Sequence, residues 1–272
     1  MNIEIDTHTH TLASGHAYNT LREMAAMAAE KGLKGLAITE HSPKMPGTCH
    51  IFYFQNLRVV PRTMYGIELL LGTELNIMNE QGEVDLPQTL LKEMDIAIAS
   101  MHTPCYEGEK TTEKITQAYL KVMENEYVDI IGHPDDSRFP IDYDTLTAAA
   151  REHNKLLEVN NSSLTPLSYR QGVRENYVKM LELCRHYRTP VIVNSDAHCE
   201  ADSGNHASAY ALLEELDFPQ ELVVNPSLEL LSAYIPRLNA ILAQPEGARC
   251  GQLPRDPGAP RPQLLQEGPS ED

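Results

Sequence analysis

Apolar and polar positions alternate along this chain between two regimes. Short apolar runs of five to nine residues, the kind that form strands buried on both faces, fall at 3–8, 35–41, 69–77, 96–102, 129–133, 156–160 and 191–195. Between them the apolar positions recur at helical spacing. Residues 19–31 carry Leu21, Met24, Ala25 and Ala28 on one stripe and stop at Gly32. Segments 111–126, 142–154, 174–188 and 204–216 have the same character, and 227–242 reads as one last helix. Seven strand–helix repeats predict a parallel sheet with helices outside, an α/β fold in one domain. Closed on itself, such a sheet is a (β/α) barrel with its chemistry at the C-terminal strand ends.

The domain is expected to span residues 1–244. The stretch 245–272 holds six prolines and four glycines with little aliphatic periodicity, and is read as a disordered tail. No sequence repeat exists beyond the strand–helix alternation.

Composition narrows the function classes. The chain has 272 residues, 42% of them hydrophobic, enough for one sizeable core. Its formal net charge of −17 disfavours a nucleic-acid groove built from Lys and Arg, so no nucleic-acid partner is expected. An anionic small molecule is still compatible, because bound divalent cations invert the local field. The five cysteines, Cys49, Cys105, Cys184, Cys199 and Cys250, are scattered without a C-x-x-C pair and read as reduced thiols. With no leader pattern after Met1 and no apolar run of membrane-spanning length, the expectation is a cytoplasmic protein away from the membrane. A homo-oligomer is compatible with all of this.

The 11 histidines change the picture. His8 and His10 form H-x-H at the end of the first strand, where alternation by two puts both imidazoles on one face. His16 follows in the next loop. His41 ends the second strand, Glu74 the third, His102 the fourth and His133 the fifth; Asp196 and His198 follow the last. In a closed barrel these ends converge on one mouth, where an uncompensated cluster would cost heavily in desolvation. Divalent metal is the natural compensation. Nine donors overfill one tetrahedral ion and suit two or three, with a carboxylate bridging. His50, His153, His186 and His206 lie off this map and carry no role, and Cys199 reads as a loop thiol.

These residues sit in "DTHTHT", "SGHAYNTL", "AITEHSP", "GTELNI", "GEVD", "SMH", "GHP", "EVNNSS" and "NSDAH". The ordered set resembles the PHP (polymerase and histidinol phosphatase) family, most of all its YcdX-type phosphatases, over about residues 1–242. The resemblance implies a distorted (β/α)7 barrel with three divalent ions, usually zinc, with Mn or Fe as alternatives. It implies that His8, His10, Glu74 and Asp196 hold the first ion. Glu74 then bridges to a second held by His102 and His133, and His16, His41 and His198 hold the third. Glu40 stands where the family more often has Asp, which bears on tuning rather than on binding.

The activity implied is hydrolysis of small phosphomonoesters by a metal-bound hydroxide, with Glu74 and Asp196 positioning the ions. A serine nucleophile at Ser162 or Ser163 is the weaker reading, and Asp6 opens no D-x-D-x-T pattern for an aspartyl phosphate. Arg138 and Arg170 are candidates to grip a phosphate or a distal anion, though either suits a solvated surface equally well. The rivals are a nuclease or phosphodiesterase of the same family, an amidohydrolase-type metal hydrolase and a catalytically idle metal-binding module.

Overall fold

A computed structural model describes residues 3–243; the tail expected from Pro245 lies outside the described residues. The chain runs β1 (Ile5–Asp6), α1 (Leu21–Glu30), β2 (Gly35–His41), α2 (Ile51–Asn56), β3 (Thr63–Met64), β4 (Ile67–Asn76) and α3 (Gln88–Leu91). It continues with β5 (Ala97–Ser100), α4 (Thr112–Met123), β6 (Ile130–Ile131), α5 (Tyr143–Glu152), β7 (Leu156–Asn160), α6 (Val173–Tyr187) and β8 (Val191–Asn194). The helices α7 (Ala207–Glu215), α8 (Leu228–Tyr234) and α9 (Arg237–Leu242) close it. Seven strands pair in parallel in the order β1-β2-β4-β5-β6-β7-β8, and β3 adds antiparallel to β4. The sheet is nearly closed, the distorted (β/α)7 barrel expected.

Two apolar layers hold it. The outer one packs the helix stripes, such as Met24, Ala25 and Ala28 of α1, against the sheet. The inner one takes residues from every strand of the barrel, among them Ile5, Ala37, Leu70, Ile98, Ile130, Leu156 and Ile192. Leu231 of α8, Leu238 of α9 and Ile235 between them plug it from below. Alternation then decides what lies above that plug. Two and four residues past Leu70 come Gly72 and Glu74; past Leu156, Glu158 and Asn160; past Ile192, Asn194 and Asp196. The barrel is therefore apolar at its base and polar at its mouth.

Side chains finish the seam between β1 and β8, where the backbone ladder is reduced to a bridge at Thr9 and Ala197. Buried Asn225 donates to Ile5 O (2.8 Å) and Val193 O (2.6 Å) and accepts from Val193 N (3.2 Å). A buried backbone group left unpaired costs roughly 1–3 kcal/mol. Asn225→Ala strips partners from three of them and should lower unfolding free energy by about 3 kcal/mol or more, read from urea denaturation. A loss below about 1 kcal/mol would mean that the seam closes without it.

One expectation is corrected. The single helix expected over 227–242 is two, because Pro236 disfavours helical backbone at the residue before it. Ile235 accordingly sits at φ −120°, ψ 81° and turns the chain into α9. Three small elements had no sequence signal strong enough to read: α2, α3 and β3. The β3–β4 hairpin turns on Tyr65 and Gly66, both at positive φ, where Asn-Gly is the usual pattern. Among the described residues no helix is long and apolar enough to cross a membrane. The four described cysteines are unpaired.

Candidate metal centre

The extended chain after β1 shows how local structure aims the first donors. Thr7 and Thr9 turn to neighbouring strands, Thr7 Oγ1 donating to Asn194 Oδ1 and Thr9 Oγ1 to Ala37 O. Their partners in the alternation, His8 and His10, therefore point into the mouth. His8 Nε2 and His10 Nε2 lie 3.1 Å apart. Each also faces both carboxylates: Glu74 at 3.4 and 3.5 Å, and Asp196 at 3.5 and 3.3 Å. His102 Nε2 and His133 Nε2 reach the Oε1 side of Glu74, at 3.2 and 2.9 Å. On its Oε2 side lies His41 Nδ1 at 2.6 Å, and His41 Nε2 faces His16 Nε2 at 3.1 Å. The His198 ring packs 4.3 Å from His10 and 4.9 Å from His16, centroid to centroid. All nine residues singled out in the sequence thus meet at one mouth. Glu74 stands at the centre, between two groups of imidazoles.

A second layer of polar residues sets the tautomers. His8 Nδ1 donates to Glu158 Oε1 at 2.7 Å, and His102 Nδ1 donates to Asn76 Oδ1 at 2.7 Å. His198 Nδ1 donates to its neighbour's carbonyl, Asp196 O, at 3.0 Å. His10 Nδ1 lies 2.9 Å from Ser14 Oγ, whose own proton goes to Glu40 Oε2, so the imidazole is the donor there too. With Nδ1 carrying the proton in all four, Nε2 is the atom each ring turns to the cluster. Glu158 also accepts from His133 N at 2.7 Å, bracing a residue held at φ 28°; Asp196 sits at φ 54°. Both are left-handed conformations that a non-glycine residue adopts at a cost.

The charge state matches. Burial works against ionising Glu74, but the imidazoles of His102, His41 and His8 hold its carboxyl well below the usual range. Burial likewise opposes the charge on Asp196, and His8, His10, His198 and Arg170 lower it further than burial raises it. Burial drives His10 well down, and pushes His102 down to about 4. His8 is the exception: Glu158, Asp196 and Glu74 pull it up against burial, toward the charged form, and a bound cation would have to displace its Nε2 proton. Ionised carboxylates and neutral imidazoles are the protonation states that ligate metal.

The fit to a cation can be tested on the lone pairs. With Nδ1 of each engaged by Glu158 and Ser14, His8 Nε2 and His10 Nε2 face each other at 3.1 Å, a contact that needs either a proton on His8 Nε2 or a cation between the two rings. Nitrogens bound tetrahedrally to one zinc would lie roughly 3.3 Å apart. Buried His41 Nδ1 and Glu74 Oε2 touch without the alignment of a hydrogen bond, and among the described residues neither atom has a hydrogen-bond partner. Three donor groups meet the spacing of a metal site: His8–His10–Glu74, His41–Glu74–His102 and His10–His41–His198. The donors fit divalent metal.

The remaining candidates separate cleanly. Arg170 and Arg138 both line the mouth. Arg170 is half-buried, reaching Ser163 Oγ (2.5 Å) and Asp196 Oδ2 (3.4 Å), while Arg138 is tied by Nε to Asp136. Ser162 faces the mouth, and buried Ser163 is spent on Arg170 and Asn160. Glu40 accepts from Thr11, Ser14 and Tyr53 behind His10 and supports rather than binds. Of the four histidines set aside, His50 caps α2, His153 and His186 are exposed, and His206 is buried 3.6 Å from Asp6. Glu158, Asn76, Ser14 and Asn160 were not singled out from the sequence. Their signal was a polar residue inside a buried strand, as in "LLEVN", or one beside a ligand.

The model of the PHP domain matches residues 6–164, and that stretch contains seven of the nine donors just described. The chain belongs to the PHP family. Its relatives include proteins named as probable phosphatases. One from Caldicellulosiruptor saccharolyticus is 44% identical over 229 residues, 84% of this chain and 94% of the relative. One from Acetivibrio thermocellus is 41% identical over 237 residues, 87% of this chain and 97% of the relative. Among solved structures, a histidinol phosphate phosphatase of Lactococcus lactis, complexed with zinc, L-histidinol and phosphate, aligns with a TM-score of 0.54 at 17% identity. The alignment covers 80% of this chain and 95% of that one. A chain of an archaeal ribonuclease P complex with mature tRNA aligns equally well, TM-score 0.54 at 14% identity, over 88% and 93%. The same fold thus occurs both in a histidinol phosphate phosphatase and in a ribonuclease P complex, so the fold does not choose the substrate.

Proposed function

We propose that this PHP protein is a metal-dependent phosphatase that hydrolyses small phosphomonoesters at a three-metal centre. The observation that carries the reading is the set of four imidazoles whose Nδ1 atoms are engaged by fixed acceptors, three of which, His8, His10 and His102, turn Nε2 to the ionised Glu74 or Asp196. His8, His10, Glu74 and Asp196 would hold one ion, Glu74, His102 and His133 a second, and His16, His41 and His198 a third. Zinc suits this mixture of imidazole and carboxylate, as do Mn and Fe. Bound divalent cations lower the pKa of water and neutralise phosphate oxygens, so no side-chain nucleophile is needed.

The chain's own residues do the rest. Glu74 spreads one carboxylate across two groups of imidazoles. Asp196 holds one oxygen toward His8 and His10 and the other toward Asn160 and Arg170. Arg170 brings a fixed positive charge to the edge of the cluster. The phosphatase names of relatives more than 40% identical over most of their length support the reaction class. The net charge of −17 supports a small substrate over a nucleic-acid strand.

The test is one metal-loaded preparation assayed side by side on small phosphomonoesters, a bis-aryl diester, single-stranded DNA and amide or lactone substrates. Monoesters should turn over fastest, and EDTA should abolish the rate. Faster cleavage of DNA would move the protein to the nuclease branch, and amide or lactone cleavage to the amidohydrolase reading.

A further inference from the structure

Of the motifs set out from the sequence, "GEVD" at residues 82–85 contributes no donor to the cluster. It lies in the loop that follows β4, and its acidic end folds back on the last residue of that strand, Asn76. One carboxylate oxygen of Asp85 accepts from Asn76 N (3.0 Å) and from Ser42 Oγ. The other accepts from Asn76 Nδ2 and from Lys44 N, both at 2.8 Å. Asn76 Nδ2 also donates to Ser42 Oγ (3.0 Å) and Ser42 O (3.3 Å). At the other end of the same buried amide, Asn76 Oδ1 accepts the Nδ1 proton of His102 at 2.7 Å. An asparagine amide has one donor end and one acceptor end, and its neighbours decide which way it lies. Ser42 O is a carbonyl and the Asp85 carboxylate only accepts, so Nδ2 must face them. Oδ1 is left for His102.

Resting on the metal reading above, we propose that Asp85 is a positioning residue for the metal centre: by fixing the Asn76 amide it sets the tautomer of His102, keeping the ring proton on Nδ1 and Nε2 free for a metal ion. His102 Nε2 stands 3.2 Å from Glu74 Oε1, so the relay ends on the central carboxylate of the cluster. Glu158 does the same for His8 directly; Asp85 acts one residue further out, with a neutral amide between its charge and the ring. Asp85→Asn keeps the size and turns one acceptor into a donor. On the side of Oδ1 the new NH2 would confront the backbone N–H of Asn76, which the pairing of β4 with β5 holds in place. On the side of Oδ2 it would confront Lys44 N, at the exposed rim where water can serve, and Asn76 Nδ2, which can rotate away. The second arrangement costs less, and it turns the Asn76 amide over. Nδ2 then faces His102 Nδ1, and the ring proton moves to Nε2. Adding Asn76→Asp undoes this. A carboxylate at that position accepts from His102 Nδ1 with one oxygen and from the new amide with the other, at unchanged total charge.

The experiment reads the ring proton and the metal separately. Zinc-loaded protein carrying nitrogen-15 histidine gives long-range proton–nitrogen correlations that tell a ring protonated on Nδ1 from one protonated on Nε2. The signal missing in His102→Ala identifies His102, and zinc affinity is measured on each variant by competition with a chelator. The wild type should carry the His102 proton on Nδ1. Asp85→Asn should move it to Nε2 and weaken zinc binding about 10-fold or more. The swapped pair, Asp85→Asn with Asn76→Asp, should return the proton to Nδ1 and bind zinc to within about threefold of the wild type. Asp85→Asn with the proton still on Nδ1 overturns the proposal. So does a loss that the swapped pair fails to repair, since that marks a residue that only braces the loop. Should Asp85→Asn alone fail to fold, the swapped pair decides by the same two readings. A shifted and rescued ring proton in a protein that turns over no phosphomonoester would sink the phosphatase reading and leave the role of Asp85 standing.

Discussion

Glu74→Gln should lose bound metal and at least about 100-fold in rate, the largest effect of any single substitution in this protein. The amide keeps the shape of the carboxylate but not its charge. Glu74 is fully buried and is approached by five imidazoles: His8, His10, His41, His102 and His133. A neutral amide cannot hold two cations, and its NH2 end would point a donor at Nε2 atoms that already need a positive partner. Excess metal should not restore the rate, because the bridge itself is gone. His153→Ala, at an exposed position after α5, is the control and should match the wild type in metal and rate. Full rate and full metal content in Glu74→Gln would refute the map of donors.

The second large effect belongs to a residue that touches no substrate. Glu158 is fully buried, accepts the Nδ1 proton of His8 and the backbone N–H of His133, and is bonded by Asn194 and Asn160. It joins a donor that follows β1 to one that follows β6. Glu158→Gln offers His8 an amide that can present NH2 to Nδ1, which would force the proton to Nε2 and remove that lone pair from the cluster. Partners of this kind are worth about 10–100-fold in metal affinity. The variant should need that much more metal for half-maximal activity, yet recover most of its rate at saturation. This recovery distinguishes it from Glu74→Gln. A metal titration curve that overlays the wild type would show that Glu158 is structural only.

These two glutamates also mark what the sequence could and could not tell. Glu74 was legible because the barrel gathers strand ends, so a polar residue closing an apolar run already says where it will be. The strands were legible for a related reason: parallel strands covered on both faces read as continuous apolar runs, as all seven buried residues of β2 do. Glu158 follows the same alternation above Leu156, but its importance lies in His8, 150 residues away in sequence. No spacing rule connects them until the barrel closes. Asn225 was invisible for the same reason, since its partners Ile5 and Val193 come from opposite edges of the sheet. Pro236 is a different case. Its effect on the final helix is local and was in the sequence to be read, but the apolar periodicity on either side outweighed it.

The number of metal ions per chain tests the account most directly. Protein purified without chelator, reconstituted with zinc or manganese and freed of excess metal, is analysed for bound metal and for phosphomonoesterase activity on the same sample. Nine convergent donors with Glu74 shared between two groups predict about three equivalents per chain, with activity rising as the later equivalents bind. Full activity at one equivalent or less would contradict it.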